Sequence, residues 1–253
     1  MPDRAGAHLM EMPPPPWIVG HRGAGGEAPE NTLESFQLAV EQGADMVELD
    51  LQLTADGALV AFHDRDLHLL NQEAVPIESL SLDQLADAVY LDRRAKKRRG
   101  VSIPTLAAII QALPADLPLN LELKRYGADS QGLVSALGRE IAGREQLLVS
   151  SFDWDLLALV RQRLPGRPVA PIAERGSDAL LQAAQELEAF SVHSDWRIAR
   201  HNLVHQARVD GRPTLVYTVN QPDLARKLLA RGVSGLFSDH PGRLRRQLEA
   251  PNS

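Results

Sequence analysis

Short apolar runs alternate with longer amphipathic stretches along most of this chain. Apolar or alternating runs of about four to eight residues predict strands, and apolar positions spaced every three or four residues predict helices. The predicted strands are Trp17–Gly20, Met46–Leu53, Leu117–Leu123, Leu147–Ser151, Pro168–Ile172, Ala189–His193, Thr214–Val219 and Ser234–Ser238. Because strands and helices alternate until eight strands are reached, we predict an α/β fold, a (β/α)₈ TIM barrel rather than an open doubly wound sheet.

Several helix ends are visible in the sequence. Asn31 and Glu34 have the spacing of a capping box, and Gly43 follows the last apolar position of that stretch. Asp153 is a predicted N-cap, and Pro222 suits the first turn of a helix. These signals predict helices that follow the first, fourth and seventh predicted strands.

A hairpin is predicted directly after the second strand. Asp56-Gly57 stands between two alternating apolar runs, which is the pattern of a two-residue turn. Such a turn pairs Ala55 with Ala58, and counting outward then opposes Asp50 and His63. Directly opposed residues share one face of a sheet, and Glu48 shares the face of Asp50, so this register predicts an imidazole beside two carboxylates.

The hairpin opens a stretch that breaks the alternation of strands and helices. We interpret residues 54–104 as the hairpin and a short insertion over the barrel mouth, with a helix at Leu82–Val89. The insertion also holds a basic run, Arg93–Arg99, with six cations in seven residues. This run either attracts an anionic substrate or a membrane surface, or is a solvated segment, and we favour the second interpretation.

Chain length and composition indicate a soluble enzyme. The 253 residues suit one barrel, and 44% hydrophobic with 24% charged residues is ordinary for a globular protein. We predict a flexible N-terminal tail over residues 1–16 and a single domain over residues 17–250. The tail contains four consecutive prolines and lacks the layout of a secretion signal, and no apolar run is long enough to span a membrane. We therefore expect a cytoplasmic protein without stable membrane insertion.

Charge and cysteine content narrow the chemistry. The net charge of -6 argues against a nucleic-acid partner. The chain has no cysteine, which excludes disulfides, thiolate metal ligands and cysteine nucleophiles. A metal site in this protein must therefore use oxygen or imidazole ligands.

Polar side chains accumulate where the first three predicted strands end. Residues two apart on a strand share a face, and catalytic groups of TIM barrels lie at the carboxyl ends of the strands. The residues expected to meet there are His21, Arg22, Glu48, Asp50, His63, Glu122 and Lys124. Carboxylates this close require a cation or a proton between them. Glu48, Asp50 and Glu122 form an all-oxygen ligand set, which suits Mg²⁺ or Ca²⁺.

These residues also carry a family resemblance that extends from about Val19 to Pro241. The segments concerned are HRGAGGEAPENT, VELDLQLTADGALVAFHD, IPTL, LELK, YTVN and GLFSDHP. Together they resemble the glycerophosphodiester phosphodiesterase family of the PLC-like phosphodiesterase superfamily. The resemblance implies a barrel enzyme that hydrolyses glycerophosphodiesters to sn-glycerol 3-phosphate and an alcohol with the help of one divalent cation. The nucleophile is then either the glycerol's own 2-hydroxyl or water.

The resemblance also implies a role for each matching residue. His21 and His63 match the acid–base pair, and Arg22 and Lys124 match positions that contact phosphate. Glu48, Asp50 and Glu122 match the metal ligands. His193, on the sixth predicted strand, is either structural or part of the substrate pocket, and we include it with the substrate-binding residues.

Two other functions remain open at this point. The first is a lysophospholipase D-like or phospholipase C-like diesterase that acts on acylated lipids, for which the basic run is the only hint. The second is a silent barrel that binds glycerol phosphate, which the presence of every catalytic-type residue disfavours. For the main hypothesis the partner is a small glycerophosphodiester, and the protein is a monomer or a homodimer.

Overall fold

The structure is a computed structural model that describes residues 10, 12–67, 74–86, 91–92, 97–98, 102–127 and 129–250. Its strands are β1 (Trp17–Gly20), β2 (Met46–Leu53), β3 (Leu59–Ala61), β4 (Asp66–Leu67), β5 (Val75–Pro76), β6 (Leu91–Asp92), β7 (Lys97–Arg98), β8 (Leu119–Leu123), β9 (Leu147–Ser151), β10 (Val169–Ala173), β11 (Val192–Asp195), β12 (Thr214–Tyr217) and β13 (Gly235–Ser238). Its α-helices are α1 (Leu33–Glu41), α2 (Leu82–Ala86), α3 (Leu106–Ala112), α4 (Ser130–Glu140), α5 (Trp154–Arg163), α6 (Ser177–Glu186), α7 (His201–Val209), α8 (Pro222–Ala230) and α9 (Pro241–Glu249). A 3₁₀ turn covers Ile77–Ser79.

Eight parallel strands close into a barrel, as the sequence predicts. The strands follow the order β1, β2, β8, β9, β10, β11, β12 and β13, and β13 pairs with β1. Helices lie between consecutive barrel strands and pack on the outside of the sheet. The carboxyl ends of all eight strands therefore point to the same end of the molecule.

Three barrel strands have the predicted bounds, and the sixth shows the largest shift. It begins at Val192 instead of Ala189. Ala189 belongs to the end of the preceding helix, because its N–H donates to the carbonyl of Ala184 at 2.9 Å. Glu188, with a φ of 47°, reverses the chain there. A helix end of this kind looks like the start of an apolar strand when only the sequence is read.

The hairpin register differs by one residue from the predicted register. The observed pairs are Leu51–Ala61, Gln52–Val60 and Leu53–Leu59, and the N–H of Phe62, not His63, bonds to the carbonyl of Asp50. The turn has three residues between Thr54 and Ala58 instead of two. The hydroxyl of Thr54 accepts from the N–H of Ala58 at 3.0 Å and donates to Asp56 at 2.6 Å, which stabilises the longer loop.

The insertion packs beside this hairpin. Its apolar residues Leu67, Ile77, Leu80 and Leu85 form a buried cluster with Val60 of β3. Of the predicted helix Leu82–Val89, the structure describes α2 up to Ala86. In the basic run, residues 93–96 and 99 lie outside the described residues, and Lys97–Arg98 is strand β7, paired with β6.

One end of the barrel interior is filled by apolar side chains. Met46 shares a face of β2 with Glu48 and packs with Leu148, Ala170 and Leu215 from other strands. This apolar layer lies beneath the polar residues and excludes water from the floor of the site.

Met10 belongs to the same cluster, and the carbonyl of Pro13 accepts from the indole N–H of Trp17 at 2.6 Å. The division into a tail at residues 1–16 and one domain at residues 17–250 stays a prediction. Within the described part of the chain, no helix is both long and apolar enough to cross a bilayer.

Candidate functional site

The loop between β1 and α1 is clamped onto β2 by the side chain of Asn31. The amide of Asn31 donates to Oδ2 of Asp50 at 2.8 Å and accepts from the N–H of Asp50 at 3.1 Å. Asn31 has a positive φ of 57°, a conformation that asparagine tolerates better than most residues. The capping box predicted from Asn31 and Glu34 is therefore wrong. Thr32 is the N-cap of α1, with Ser35 as its reciprocal partner, because Asn31 is engaged with β2.

Three carboxylates from two neighbouring strands converge near the mouth of the barrel. Glu48 and Asp50 lie on β2 and Glu122 on β8, where Asp50 and Glu122 are register partners. Each offers an oxygen atom within 4.8 Å of the others, as a cation site requires. Oε1 of Glu48 is buried without a hydrogen-bond partner among the described residues, while Oε2 accepts from the N–H of Arg22 at 2.8 Å.

The protonation of these carboxylates reflects their crowding. Burial, followed by the charges of Asp50 and Glu122, raises the pKa of Glu48 well above its ordinary value. Burial also raises the pKa of Glu122, to about 7. Burial acts in the same direction on Asp50, but the charges of Lys124 and Arg22 prevail and lower its pKa. The trio thus carries less negative charge than three free carboxylates would, unless a cation binds.

Two cations contact the trio. Nε of Arg22 lies 3.2 Å from Asp50, and Nη1 lies 2.7 Å from Glu30. Lys124 Nζ pairs with Asp50 at 3.1 Å and also with Glu122. Burial lowers the pKa of both cations, but the neighbouring carboxylates outweigh it and raise the pKa of each. Arg22 and Lys124 therefore stay charged beside the site.

His21 follows β1 and is held by a chain of hydrogen bonds from the last two barrel strands. Its Nδ1 lies 2.7 Å from Oδ1 of Asp239, and Oδ2 of Asp239 accepts from the amide of Asn220 at 2.8 Å. Oδ1 of Asn220 in turn accepts from the N–H of Asp239 at 2.9 Å and from the hydroxyl of Ser238 at 3.0 Å. Because an ionised carboxylate only accepts, Nδ1 carries the proton, and Nε2 of the neutral ring is left as a base.

His63 reaches the site although the hairpin register is not the predicted one. It lies two residues after β3 and lines the same cavity as His21. Its Nδ1 is 2.9 Å from Asp64, and its carbonyl accepts from the hydroxyl of Tyr126 at 3.0 Å. Burial lowers the pKa of His63, partly opposed by the charge of Asp50. Both imidazoles are therefore oriented through Nδ1 by an aspartate.

His193 lies on the opposite wall. It is fully buried on β11, with Nε2 3.1 Å from the hydroxyl of Ser191, and its ring meets Phe237 edge to face. Burial lowers its pKa to about 3, so the ring is neutral at ordinary pH. Nδ1 has no hydrogen-bond partner within the described part of the chain.

A cavity of about 310 Å³ unites these groups. Seven of the eight predicted site residues line it, namely His21, Arg22, Glu48, His63, Glu122, Lys124 and His193. The eighth, Asp50, belongs to the acidic trio directly behind them. The structure thus brings all eight residues together.

Some residues of the site are not evident from sequence reasoning. Asp239 and Asn220 stand about 200 residues after His21, and only barrel closure brings them to it. Asn220 lies two residues before Pro222, but the N-cap of α8 is Gln221, and the side chain of Asn220 bonds to Asp239. The polar residues at the ends of the first and last strands are the signal that points to them, since those strands are adjacent in a closed barrel.

Comparisons with known proteins agree with this geometry. The model of the Glycerophosphoryl diester phosphodiesterase family matches residues 21–243. A glycerophosphodiester phosphodiesterase of Caldanaerobacter subterraneus is 28% identical over 229 residues, which cover 88% of this chain and 94% of that protein.

Solved structures are similar over nearly the whole chain. An Oleispira antarctica phosphodiesterase in complex with the product sn-glycerol-3-phosphate has a TM-score of 0.83 and 27% identity, covering 93% of this chain and 97% of that chain. A glycerophosphodiester phosphodiesterase of Thermotoga maritima has a TM-score of 0.74 and 26% identity, covering 90% and 96%.

Proposed function

The chain belongs to the glycerophosphoryl diester phosphodiesterase family, and from this membership we propose that it hydrolyses glycerophosphodiesters to sn-glycerol 3-phosphate and an alcohol. The observation that supports the proposal is the convergence of two aspartate-held imidazoles, three carboxylates and two cations on one cavity. The Oleispira antarctica phosphodiesterase was solved with sn-glycerol-3-phosphate as its product, which agrees with this reaction.

One divalent cation, Mg²⁺ or Ca²⁺, fits the acidic trio. The donor set of Glu48, Asp50 and Glu122 is all oxygen, its oxygens lie within 4.8 Å of one another, and Oε1 of Glu48 is buried with no partner in the described chain. A bound cation would neutralise charge on the phosphoryl group and lower the barrier to displacement. The same cation would allow all three carboxylates to ionise.

The two histidines supply the proton transfers. Displacement at a phosphodiester needs a base that takes a proton from the attacking hydroxyl and an acid that protonates the leaving oxygen. His21 and His63 line one cavity, and each is held through Nδ1, so each directs Nε2 to proton transfer. Such positioned groups typically contribute about 10²–10⁴ in rate.

The remaining cavity residues bind the substrate. The guanidinium of Arg22 and the ammonium of Lys124 balance the charge of the phosphodiester, and arginine can donate to two oxygens at once. The neutral ring of His193, with its unpaired Nδ1, offers a hydrogen bond to a substrate hydroxyl. The cytoplasmic location and the monomeric or homodimeric state remain predictions from sequence.

The test is release of sn-glycerol 3-phosphate from glycerophosphocholine by the wild-type protein, with Mg²⁺, with Ca²⁺ and with EDTA. We expect cation-dependent release, and loss of release in His21→Ala and His63→Ala with folding retained. His205→Ala is a matched control, because His205 is exposed on α7, where it stacks on His201, and it does not line the cavity. Activity of either site variant at the wild-type level would refute the acid–base assignment.

The alternative of a diesterase for acylated lipids is not favoured. The relatives described above are named for glycerophosphodiesters. Assaying lysophosphatidylcholine micelles beside glycerophosphocholine separates the two functions, and preferential turnover of the lysolipid would overturn the proposal.

A further inference from the structure

The imidazole of His63 depends on its own backbone for its place at the cavity. Its Nδ1 bonds to Asp64, which is the next residue in the chain, whereas the aspartate that holds His21 comes from another part of the barrel. A contact between chain neighbours orients a ring relative to its own backbone but does not place it in the barrel. The location of the His63 ring is therefore set by the bonds that hold residues 62–64.

Three consecutive carbonyls around His63 each accept a hydrogen bond from a side chain. The amide of Gln52 donates to the carbonyl of Phe62 at 2.7 Å and to the carbonyl of Asp64 at 2.8 Å. The hydroxyl of Tyr126 donates to the carbonyl of His63, between the other two, at 3.0 Å. Because β3 ends two residues before His63, these side-chain bonds hold the backbone where the strand has stopped.

Gln52 is placed on β2 so that it reaches this backbone without touching the substrate. It is 3% exposed, lies two residues after Asp50, and does not line the catalytic cavity. Burial of an amide is costly unless its hydrogen bonds are made, and one NH₂ group has two hydrogens for two carbonyls. The bonds of Gln52 therefore attach the backbone of His63 to the strand that carries two members of the acidic trio.

We propose that Gln52 is a positioning residue for His63 and fixes the imidazole relative to the acidic trio. Tyr126 supports the same backbone from the loop after β8, the strand that carries the third carboxylate of the trio. A proton-transfer group acts only within hydrogen-bond reach of the reacting atoms, and a misplacement of about 1 Å can cost about 10² in rate. The inference rests on the proposed function and adds to it how one of the two imidazoles is held.

Thr54 provides a matched control on the same hairpin. Gln52→Met removes both hydrogen bonds and keeps the length of the side chain. Thr54 is also 3% exposed, and its hydroxyl bonds to the N–H of Ala58 at the turn, which is the other end of the hairpin. Thr54→Val removes that bond and keeps the shape of the side chain. A general loosening of the hairpin affects both variants, whereas a misplaced imidazole follows only from Gln52→Met.

The first measurement is kcat and KM for glycerophosphocholine at saturating Mg²⁺ or Ca²⁺. We expect Gln52→Met to lower kcat by about 10-fold to 100-fold and to change KM by about twofold or less. Tyr126→Phe should cause a smaller loss in kcat, because it removes one bond of the three. Thr54→Val should keep kcat within about twofold of the wild type. The cation concentration that gives half of the gain in Tm should be the same in all four proteins.

The second measurement asks whether Gln52 acts through His63. In a double-mutant cycle, adding Gln52→Met to His63→Ala should lower the residual kcat by about twofold or less, because the group that Gln52 positions is then absent. A ¹H–¹³C spectrum of the histidine rings gives a readout without substrate. The His63 signal, assigned by its loss in His63→Ala, should shift or broaden in Gln52→Met and stay unchanged in Thr54→Val.

Each other result contradicts a defined part of the proposal. A wild-type kcat in Gln52→Met overturns it, and so does an equal loss in Thr54→Val, because the hairpin as a whole is then responsible. An undiminished loss in the His63→Ala background, or a weaker response to cation in Gln52→Met, shows that Gln52 acts on another group. If Gln52→Met does not fold, Tyr126→Phe at its exposed position applies the same two readouts to the middle carbonyl. Absence of hydrolysis by the wild type contradicts the proposed function itself, while an unshifted His63 signal in Gln52→Met contradicts the positioning alone.

Discussion

Nδ1 of His21 lies 2.7 Å from Oδ1 of Asp239, although the two residues are 218 positions apart in the chain. The contact joins the end of the first barrel strand to the end of the last one, which are neighbours once the barrel has closed. Asp239 fixes the tautomer and direction of the imidazole, so the orientation of Nε2 of His21 depends on a residue at the end of the last barrel strand.

Asp239→Asn should lower kcat with little change in KM. The amide keeps the shape of the side chain but lacks the negative charge that holds the proton on Nδ1. We expect a loss of about 10-fold to 100-fold, smaller than the roughly 10²–10⁴-fold effect of removing an acid–base group. Asn220→Ala leaves Asp239 in place and should cause a smaller loss. A kcat equal to that of the wild type in Asp239→Asn would show that His21 does not need this partner.

Replacement of Asn31 should destabilise the protein and also impair the site. Asn31→Ala removes one hydrogen bond to the buried carboxylate of Asp50 and leaves the N–H of Asp50 without its partner, which costs about 1–3 kcal/mol in the free energy of unfolding. Asn31→Gly makes the same contacts unavailable but tolerates the positive φ, so it should be the more stable of the two. Urea unfolding measures the free energy of unfolding of the wild type and both variants. Equal values for the wild type and Asn31→Ala would contradict the stabilising role of the contacts between Asn31 and Asp50.

Cation binding should stabilise the protein more at higher pH. The pKa of Glu122 is raised to about 7, mainly by burial, so below that pH the folded ion-free protein holds a proton that the unfolded chain has released. The free energy of unfolding without cation should therefore fall as pH rises from about 4.5 to about 7.

The measurement is the Tm with Mg²⁺ or Ca²⁺ and with EDTA. A cation at about 100 times its Kd raises the free energy of unfolding by about 2.7 kcal/mol. At one fixed cation concentration, this gain should be larger at about pH 8 than at about pH 6. Glu122→Gln should show a reduced gain at both pH values. A Tm that does not respond to cation in the wild type would exclude a site at the trio.

His193 should make the protein sensitive to acid. Its pKa is lowered to about 3 by burial, so below the ordinary value of about 6.5 the unfolded chain takes up a proton that the folded protein does not. The free energy of unfolding should fall more steeply between about pH 6 and about pH 4 in wild type than in His193→Gln. If the free energies of unfolding of the wild type and His193→Gln fall in parallel with decreasing pH, His193 is protonated in the folded state.

The barrel and the proximity of the predicted site residues could be predicted from the sequence because both depend on local patterns. Strand periodicity places Glu48 with Asp50, and Glu122 with Lys124, on shared faces, and parallel strands bring those faces together. The family resemblance added the roles, which no pattern of spacing contains. Seven of the eight residues line one cavity and Asp50 lies in the acidic trio behind them, while their roles stay predictions.

Contacts that depend on loop length or on distant strands were not predictable in the same way. The Asp56-Gly57 pattern fits a two-residue turn, and only the hydroxyl of Thr54 accounts for the three-residue loop that moves the register by one. The sequence around Asn31 fits a helix cap, and only the adjacent strand β2 shows that the Asn31 side chain bonds to Asp50 instead. Asp239 meets His21 only because the closed barrel brings the first and last strands together, and the strand pattern alone does not specify which side chains then pair.

The pairing of β1 with β2 is limited to Val19–Met46 and Gly20–Val47, whereas β2 continues to Leu53. Beyond that short seam, the N–H of Asp50 bonds to the side chain of Asn31 in place of a neighbouring strand. The position of Asp50 and the closure of the barrel at β1 and β2 thus depend on the same bonds, and a partially opened barrel has no intact acidic trio. The rate of amide hydrogen exchange at Asp50 should then follow the rate of inactivation. Mutations that stabilise the pairing of β1 with β2 should therefore slow the inactivation of the enzyme.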